Sequence, residues 1–340
     1  MNPDIAYYKG DKDKPVIVFI HGLGMDKKIW ENPSESRILG ASLPITALLS
    51  LKPSERNFGC SREKPDITFP GISAGIRPES LKTSFYDMKS EGYTVVTWSQ
   101  ERPVGPIDAA VTELTEVIKF AGECSKKGII LVGHSRGGLI ARKYLMDGDK
   151  RIKGLITVCT PHRGSSIAKL AVYISPLSAI ITPLFIYASE KGKFKKIIRR
   201  IADFLESTAV RELLPGSDFF MGLNDSKKKG IHCMTIGGTS PSLFSLYRWE
   251  WKTVREGSDK RWILSPANIL SVPDILEKIV PEFLYPAELK KGIGDGLVTD
   301  ESSQIEWCKN HYSFPLNHAA VLFDRRVRNI IIEAIERICN

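Results

Sequence analysis

Ser135 lies at the centre of the segment Gly133-His134-Ser135-Arg136-Gly137, in which two glycines flank a serine at the spacing G-x-S-x-G. A serine hydroxyl is a poor nucleophile at neutral pH and needs an imidazole to take its proton. The imidazole in turn needs a carboxylate that fixes its tautomer and stabilises its charged form. The segment therefore indicates nucleophilic attack by Ser135, with a histidine and an acid supplied from elsewhere. The bare pattern also recurs by chance, so the elements around it must decide.

The elements on either side of Ser135 are those that such a nucleophile needs. Residues 129–132 form an uncharged run bounded by glycines, which is typical of a strand buried on both faces of a parallel sheet. Residues 139–145 have the composition of a helix. A chain that turns from strand to helix within about five residues needs small neighbours, and Gly133 and Gly137 supply that room. The pattern predicts Ser135 at the apex of the turn, with its hydroxyl exposed.

The strand, turn and helix around Ser135 are called the elbow below. Three further segments accompany the elbow along the chain: HGLG at 21–24 before it, and TPHRGS at 160–165 and DGLV at 295–298 after it. Together the segments make the chain resemble the α/β-hydrolases, and within that superfamily the bacterial lipases and esterases. The resemblance implies an α/β fold, with a mostly parallel doubly wound sheet and helical cap or lid insertions. The alternation of predicted strands and helices between residues 15 and 138 favours the same sheet.

The HGLG segment follows a predicted strand at residues 15–20, where lipases carry an oxyanion motif. Acyl transfer builds negative charge on the carbonyl oxygen, and rigid backbone N–H donors stabilise that charge. The resemblance implies that the donors are the amides of Leu23 and of Arg136, the residue after the nucleophile. A plain glycine turn after a strand remains the alternative interpretation of this segment.

The acid and the base are expected near the end of the chain. Asp295 stands between two glycines in the segment that carries the acid in similar lipases, and two histidines, His311 and His318, follow it. His318 comes just past the predicted strand at 311–316, whereas His311 lies at its start, so we predict His318 as the base. Asp300 is the reserve acid. Asp324 is better explained as the cap of a C-terminal helix.

Several segments lie outside this minimal scheme. His162 is expected to border the site or to be structural, although a direct role stays open. We predict a single domain over residues 1–340, with insertions at 31–77, 166–229 and 241–291 that form a cap or lid.

Residues 170–188 carry no charge and approach the length of a membrane helix, but Pro176 and Pro183 favour an apolar lid. The basic segment at 191–200 is either a contact with an anionic membrane surface or an ordinary solvated helix.

Composition narrows the classes of function. The chain has 340 residues, 42% hydrophobic and 26% charged, which suits one large core and excludes a disordered or fibrous protein. The net charge of +9 is dispersed, with no zinc-finger spacing or RNA-binding aromatic motif, so no nucleic-acid partner is expected. The six cysteines include no C-x-x-C pair and favour small buried residues over a disulfide framework. The first ten residues lack a signal-peptide pattern, so a cytoplasmic protein is the default expectation.

The function expected from these features is a serine carboxylic ester hydrolase of lipase or esterase type, acting on a small-molecule or lipid ester. No cofactor is implied. Some bacterial lipases carry a structural calcium ion, but no ligand set for a metal is identified in this sequence. The alternatives are an acyltransferase, thioesterase, amidase or polyester depolymerase with the same triad, a lipid carrier on a hydrolase scaffold, and an enzyme anchored by residues 170–188. The sequence leaves the acyl chain, the alcohol and the oligomeric state open.

Overall fold

The structure is a computed structural model that describes residues 3–38, 43–44, 55–60, 64–66, 72–74, 81–166, 207–223, 230–242, 245–256 and 259–339. The apolar run at 170–188 and the basic segment at 191–200 lie outside these residues, as do most of the insertion at 166–229 and much of that at 31–77. Within the described ranges, every helix is too short or too polar to cross a bilayer.

The described residues form strands and helices in the following chain order. The strands are β1 (Asp4–Tyr8), β2 (Val16–Ile20), β3 (Arg37–Ile38), β4 (Leu43–Pro44), β5 (Arg56–Cys60), β6 (Ile72–Ala74), β7 (Val95–Ser99), β8 (Ile129–His134), β9 (Ile152–Val158), β10 (His232–Gly238), β11 (Ser245–Glu256), β12 (Asp259–Ser271) and β13 (Asn310–Phe314). The α-helices are α1 (Lys28–Glu31), α2 (Ser84–Ser90), α3 (Ile107–Cys124), α4 (Arg136–Tyr144), α5 (Thr208–Glu212), α6 (Asp218–Met221), α7 (Val272–Ile279) and α8 (Arg325–Cys339).

The central sheet has seven strands in the order β1-β7-β2-β8-β9-β10-β13. All neighbouring pairs are parallel except β1 with β7, which is antiparallel. Because β2 and β8 are fully buried, their apolar runs match the pattern of strands covered on both faces. Among the described strands, the edge strand β13 pairs only with β10, in the register Met234 to Asn310 through Gly238 to Phe314. The fold class expected from the sequence is confirmed.

Alternate residues of β2 point into two separate cores, one on each face of the sheet. Ile17 and Phe19 join the core that is covered by α1, α2 and α8. Val16, Val18 and Ile20 join the core that is covered by α3 and α4. Each fully buried aliphatic or aromatic side chain stabilises the fold by roughly 1.5–3 kcal/mol. The two cores thereby fix the strands whose carboxyl ends carry the candidate site.

The predicted insertion at 241–291 contains a long β-hairpin. Its sequence alone did not indicate this structure. Strands β11 and β12 pair antiparallel along their full length, and β5 and β6 extend them to a second, four-stranded sheet in the order β5-β12-β11-β6. Helix α7 follows the hairpin directly. The chain then returns to the central sheet through the segment that carries Asp295.

Candidate active site

Ser135 lies at a strained turn between β8 and α4. Its backbone has φ 54° and ψ −128°, a conformation that residues other than glycine rarely adopt. A Cβ atom on Gly133 would lie 2.5 Å from the amide nitrogen of Gly138, and one on Gly137 would lie 2.4 Å from the carbonyl oxygen of Ile20. Both positions therefore require glycine, as the sequence pattern predicts. Ser135 is only 8% exposed, so the turn holds it nearly buried at the rim, whereas the sequence pattern predicted an exposed hydroxyl.

Asp295 and His318 form a buried hydrogen-bonded pair. Asp295 Oδ2 lies 2.8 Å from His318 Nδ1. The other carboxylate oxygen, Oδ1, accepts from the amides of Leu297 and Val298, at 2.9 Å and 2.7 Å. An ionised carboxylate only accepts, so His318 Nδ1 carries the proton and Nε2 keeps its lone pair. The pair therefore has the tautomer that a general base requires.

The elbow touches this pair through His134, the residue before the nucleophile. His134 Nε2 lies 3.0 Å from the carbonyl oxygen of His318, and the two rings lie 4.9 Å apart. Burial, with His318 nearby, lowers the pKa of His134 to about 3, so the ring is neutral and Nε2 donates to the carbonyl. Among the described residues, Ser135 Oγ makes no hydrogen bond. The structure thus joins Asp295 to His318 and sets the elbow against them, without a bond from the hydroxyl to the ring.

The HGLG loop lies against Ser135. A Cβ atom on Gly22 would stand 3.0 Å from Ser135 Cβ. His21 fixes the loop, because its Nδ1 donates to the Gly22 carbonyl at 2.9 Å and its Nε2 accepts from the Gln100 amide at 3.1 Å. Burial lowers the pKa of His21 to about 4, which keeps the ring neutral. In the part of the chain that the structure describes, the amides of Leu23 and Arg136 have no acceptor, as oxyanion donors require.

The side chain of Arg136 supports the same loop, which the sequence analysis did not foresee. Its guanidinium is buried and donates to Gln100 Oε1 at 2.7 Å and to the Gly105 carbonyl. Burial lowers the pKa of Arg136 to about 10, against the effect of the carboxylates of Glu212 and Glu113. Gln100 therefore links the two candidate oxyanion donors. Its place directly after β7, at the carboxyl end of a parallel strand, is the signal that could have identified it.

Cys159, at the end of β9, is a second residue that the motifs did not indicate. Its φ is 49°, and its thiol lies within 4.8 Å of Asp295 and His318 ligand atoms. Cysteine, aspartate and histidine can together hold a metal ion. However, burial and then the Asp295 carboxylate raise the pKa of the Cys159 thiol well above its ordinary value, whereas a metal requires the thiolate. Because His318 Nδ1 already bonds Asp295, we assign the cluster to the acid and base.

The remaining sequence candidates lie elsewhere. Asp300, the reserve acid, is 3.1 Å from His311 Nε2 and so belongs to a different histidine. His162 is buried in contact with Thr157 Oγ1, at 3.0 Å, and its carbonyl accepts from Arg142. Asp324 accepts from the amide of Arg326 at 2.8 Å and so caps α8, as predicted.

Comparison with known proteins agrees with this fold. A family model described as alpha/beta hydrolase fold matches residues 15–180. The mature lipase BlEst2 of Bacillus licheniformis superposes with a TM-score of 0.53 at 15% identity, over 98% of this chain and 99% of that one. Its propeptide form gives 0.53 at 16% identity, over 98% of this chain and 54% of that one.

A thermophilic esterase from Thermogutta terrifontis superposes with a TM-score of 0.44 at 13% identity, over 99% of this chain and 94% of that one. No curated protein sequence matches the chain. The strand order, the elbow, the matched family model and the superposition on the lipase lead to one conclusion. The chain has the α/β-hydrolase fold, and it resembles the bacterial lipases and esterases.

Proposed function

We propose that the chain is a serine carboxylic ester hydrolase that works through an acyl-enzyme. Ser135 is the nucleophile, His318 the general base and acid, and Asp295 the residue that orients His318. The observation that carries the proposal is the 2.8 Å bond between His318 Nδ1 and Asp295 Oδ2, at the same rim as the strained turn of Ser135. This bond leaves one imidazole nitrogen to accept the hydroxyl proton.

In the acylation step, Ser135 Oγ attacks the carbonyl carbon of the ester while His318 Nε2 takes its proton. The carbonyl oxygen becomes an oxyanion, which accepts from the amides of Leu23 and Arg136. Each such donor is worth about 10²–10³ in rate. The carbon–oxygen bond of the ester then breaks, and the alcohol leaves with the proton from His318. A water molecule repeats the sequence on the acyl-enzyme and releases the acid.

The substrate class proposed is an ester of a carboxylic acid, including lipid esters. One solved structure of similar fold, over 98% of the chain, is that of a protein described as a lipase. The uncharged run at 170–188 and the basic segment at 191–200 are consistent with acyl chains and with contact to an anionic membrane surface. Both segments lie outside the described residues, so this part of the proposal rests on sequence.

The test is a series of nitrophenyl esters of increasing acyl length, with the wild type and Ser135→Ala. We expect the variant to lose turnover by about 10⁴-fold or more, because the attack step is removed. A fluorophosphonate should label Ser135 in the wild type and leave the variant unlabelled. The proposal fails if the variant keeps its turnover or if the label reaches a different serine.

The same assay separates the related chemistries. With an alcohol acceptor present, an acyltransferase would form a new ester, whereas a hydrolase would release the free acid. A preference for thioesters over oxygen esters would identify a thioesterase. Activity that rises with acyl length and at an oil interface would identify a lipase, and activity that peaks at short acyl chains an esterase.

A further inference from the structure

Two cysteines meet at the amino ends of neighbouring strands, far along β10 and β13 from the candidate site. Cys233 is the second residue of β10, and Cys308 precedes the start of β13 by two residues. Asn310 contacts both cysteines. Its Nδ2 donates to the Cys233 carbonyl at 3.4 Å, and its backbone carbonyl accepts from Cys308 Sγ at 3.7 Å. The two cysteines belong to one hydrophobic cluster on the same side of the sheet.

The register of β10 and β13, in which Met234 pairs with Asn310, brings the two cysteines next to each other. A hydrogen bond from Cys233 lowers the pKa of the Cys308 thiol, and together with bonds to the Asn310 backbone and Thr235 it outweighs the opposite effect of burial. Burial instead raises the pKa of Cys124 and of Cys159. Cys308 is buried, with 8% of its surface exposed, and Cys233 is half-buried, so the pair keeps a small solvent-accessible surface. A thiol of this kind beside a second thiol is the arrangement that oxidants convert first.

We propose that Cys233 and Cys308 form a modification site, a thiol pair that peroxide converts to a reversible disulfide. The Cys308 thiolate attacks hydrogen peroxide, which breaks the oxygen–oxygen bond and yields a sulfenic acid and hydroxide. The Cys233 thiol then attacks the Cys308 sulfur, and a sulfur–sulfur bond forms as water leaves. Two thiols are oxidised and one peroxide is reduced to two water molecules. A thiol reductant reverses the reaction.

The crosslink would close a long loop of the chain. The loop from Cys233 to Cys308 contains the hairpin of β11 and β12 and the segment that carries Asp295. Joining its ends removes conformational freedom from the unfolded chain, so the oxidised protein should be the more stable form. Turnover should not change, because the pair lies at the amino ends of the strands and Ser135 lies at the rim of their carboxyl ends.

The test begins with the full chain and a small molar excess of hydrogen peroxide, followed by digestion without reductant and peptide mass spectrometry. We expect one crosslinked pair of peptides, holding Cys233 and Cys308 and lighter by two hydrogens, which dithiothreitol separates. The melting temperature should rise by about 5 °C on oxidation. Cys233→Ser should abolish both effects, whereas Cys124→Ser, a half-buried thiol on α3, should leave both intact.

The proposal is overturned if the wild type accumulates sulfinic acid at Cys308 without the crosslink, or if Cys308 pairs with another cysteine. It is also overturned if Cys308 stays reduced while the exposed Cys339 is oxidised. Should Cys233→Ser fail to fold, the wild-type peptide map alone decides, because it names both partners directly.

Discussion

The described residues include two histidine–aspartate pairs, whose members lie a few residues apart in the chain. His318 and Asp295 lie 2.8 Å apart with side chains 3% and 1% exposed, whereas His311 and Asp300 lie 3.1 Å apart with side chains 15% and 21% exposed. His311 sits in β13 near its start, and His318 lies just beyond its end. The two pairs therefore occupy opposite ends of one edge strand.

The difference lies in which ring nitrogens are used. His311 engages both, since Nδ1 bonds Thr235 Oγ1 at 2.8 Å and Nε2 bonds Asp300. His318 engages Nδ1 alone among the described residues, and its Nε2 remains able to take a proton. A general base needs a ring nitrogen with a lone pair that can accept the proton of the nucleophile. The presence of a histidine beside an acid is therefore insufficient, and the unused nitrogen next to a nucleophile distinguishes the candidate site.

The largest expected effect comes from the two aspartates. Asp295→Asn should lower kcat/KM by about 10⁴-fold, because an amide no longer fixes the base tautomer of His318. Asp300→Asn is the matched control and should stay within about twofold, because His311 takes no part in the reaction. Ester hydrolysis at saturating and limiting substrate measures both. Equal losses in the two variants would contradict the distinction between the pairs.

A smaller loss is expected at the guanidinium that supports the oxyanion loop. Arg136→Lys keeps the charge but cannot reach both Gln100 and the Gly105 carbonyl, so the amides of residues 23 and 136 should shift. We expect kcat to fall by about 10- to 100-fold with KM little changed, because oxyanion donors act in the transition state. Arg142→Lys, also on α4, is the control. A change in KM alone would show that Arg136 serves binding instead.

The buried histidine of the elbow should make stability depend on pH. The pKa of His134 is lowered to about 3 in the folded protein, below the ordinary value of 6.5. Its contribution is complete above pH 6.5 and is lost as pH falls towards 3, because the unfolded chain binds the proton first. The free energy of unfolding should therefore fall below pH 6.5, by up to about 1.4 kcal/mol per pH unit for this group.

Urea unfolding between pH 7.5 and 5 measures that slope. His134→Gln keeps a donor for the His318 carbonyl but cannot titrate, so its slope should be shallower than that of the wild type. His232→Gln removes an exposed histidine at the start of β10 and should leave the slope as it was. Parallel curves for the wild type and His134→Gln would refute the assignment of a depressed pKa.

The smallest effect is expected at the outer pair. Ser313 Oγ donates to Asp300 Oδ2 at 2.8 Å in an exposed position. Ser313→Ala should reduce the free energy of unfolding by about 0.5 kcal/mol, because water replaces an exposed hydrogen bond. Ester turnover should be unchanged. A loss of turnover beyond about threefold would show that the His311–Asp300 pair contributes to the reaction, which would contradict the distinction between the two pairs.

Much of the central sheet could be predicted from local sequence. The uncharged runs of β2 and β8 are recognisable in the sequence, because strands that are covered on both faces carry apolar side chains on both faces. Ser135 and the loop before Leu23 were likewise marked by glycines, whose positions the close approach of strand and helix makes obligatory. Such features depend on neighbours in the chain, so a single sequence carries them.

Features that depend on distant partners could not be predicted. Gln100 and Cys159 belong to no motif: their places directly after strands put them at the rim of the sheet, but their contacts with Arg136 and Asp295 follow only from the order of strands. The pairing of β11 with β12 was not predicted, because apolar and polar residues do not alternate regularly enough along these segments to indicate strands. The bond between Asp300 and His311 also required coordinates, because the sequence left Asp300 as a second acid for His318.

The edge position of β13 has a consequence for heat inactivation. The proposed base, His318, follows a strand that among the described strands has a single ladder of hydrogen bonds, to β10, while the proposed nucleophile, Ser135, follows a strand flanked on both sides. An outer strand frays at temperatures at which the interior of the sheet is still intact. We therefore expect moderate heating to abolish ester hydrolysis reversibly at temperatures at which the helices are still folded, because His318 detaches from the site before the turn that holds Ser135 unfolds.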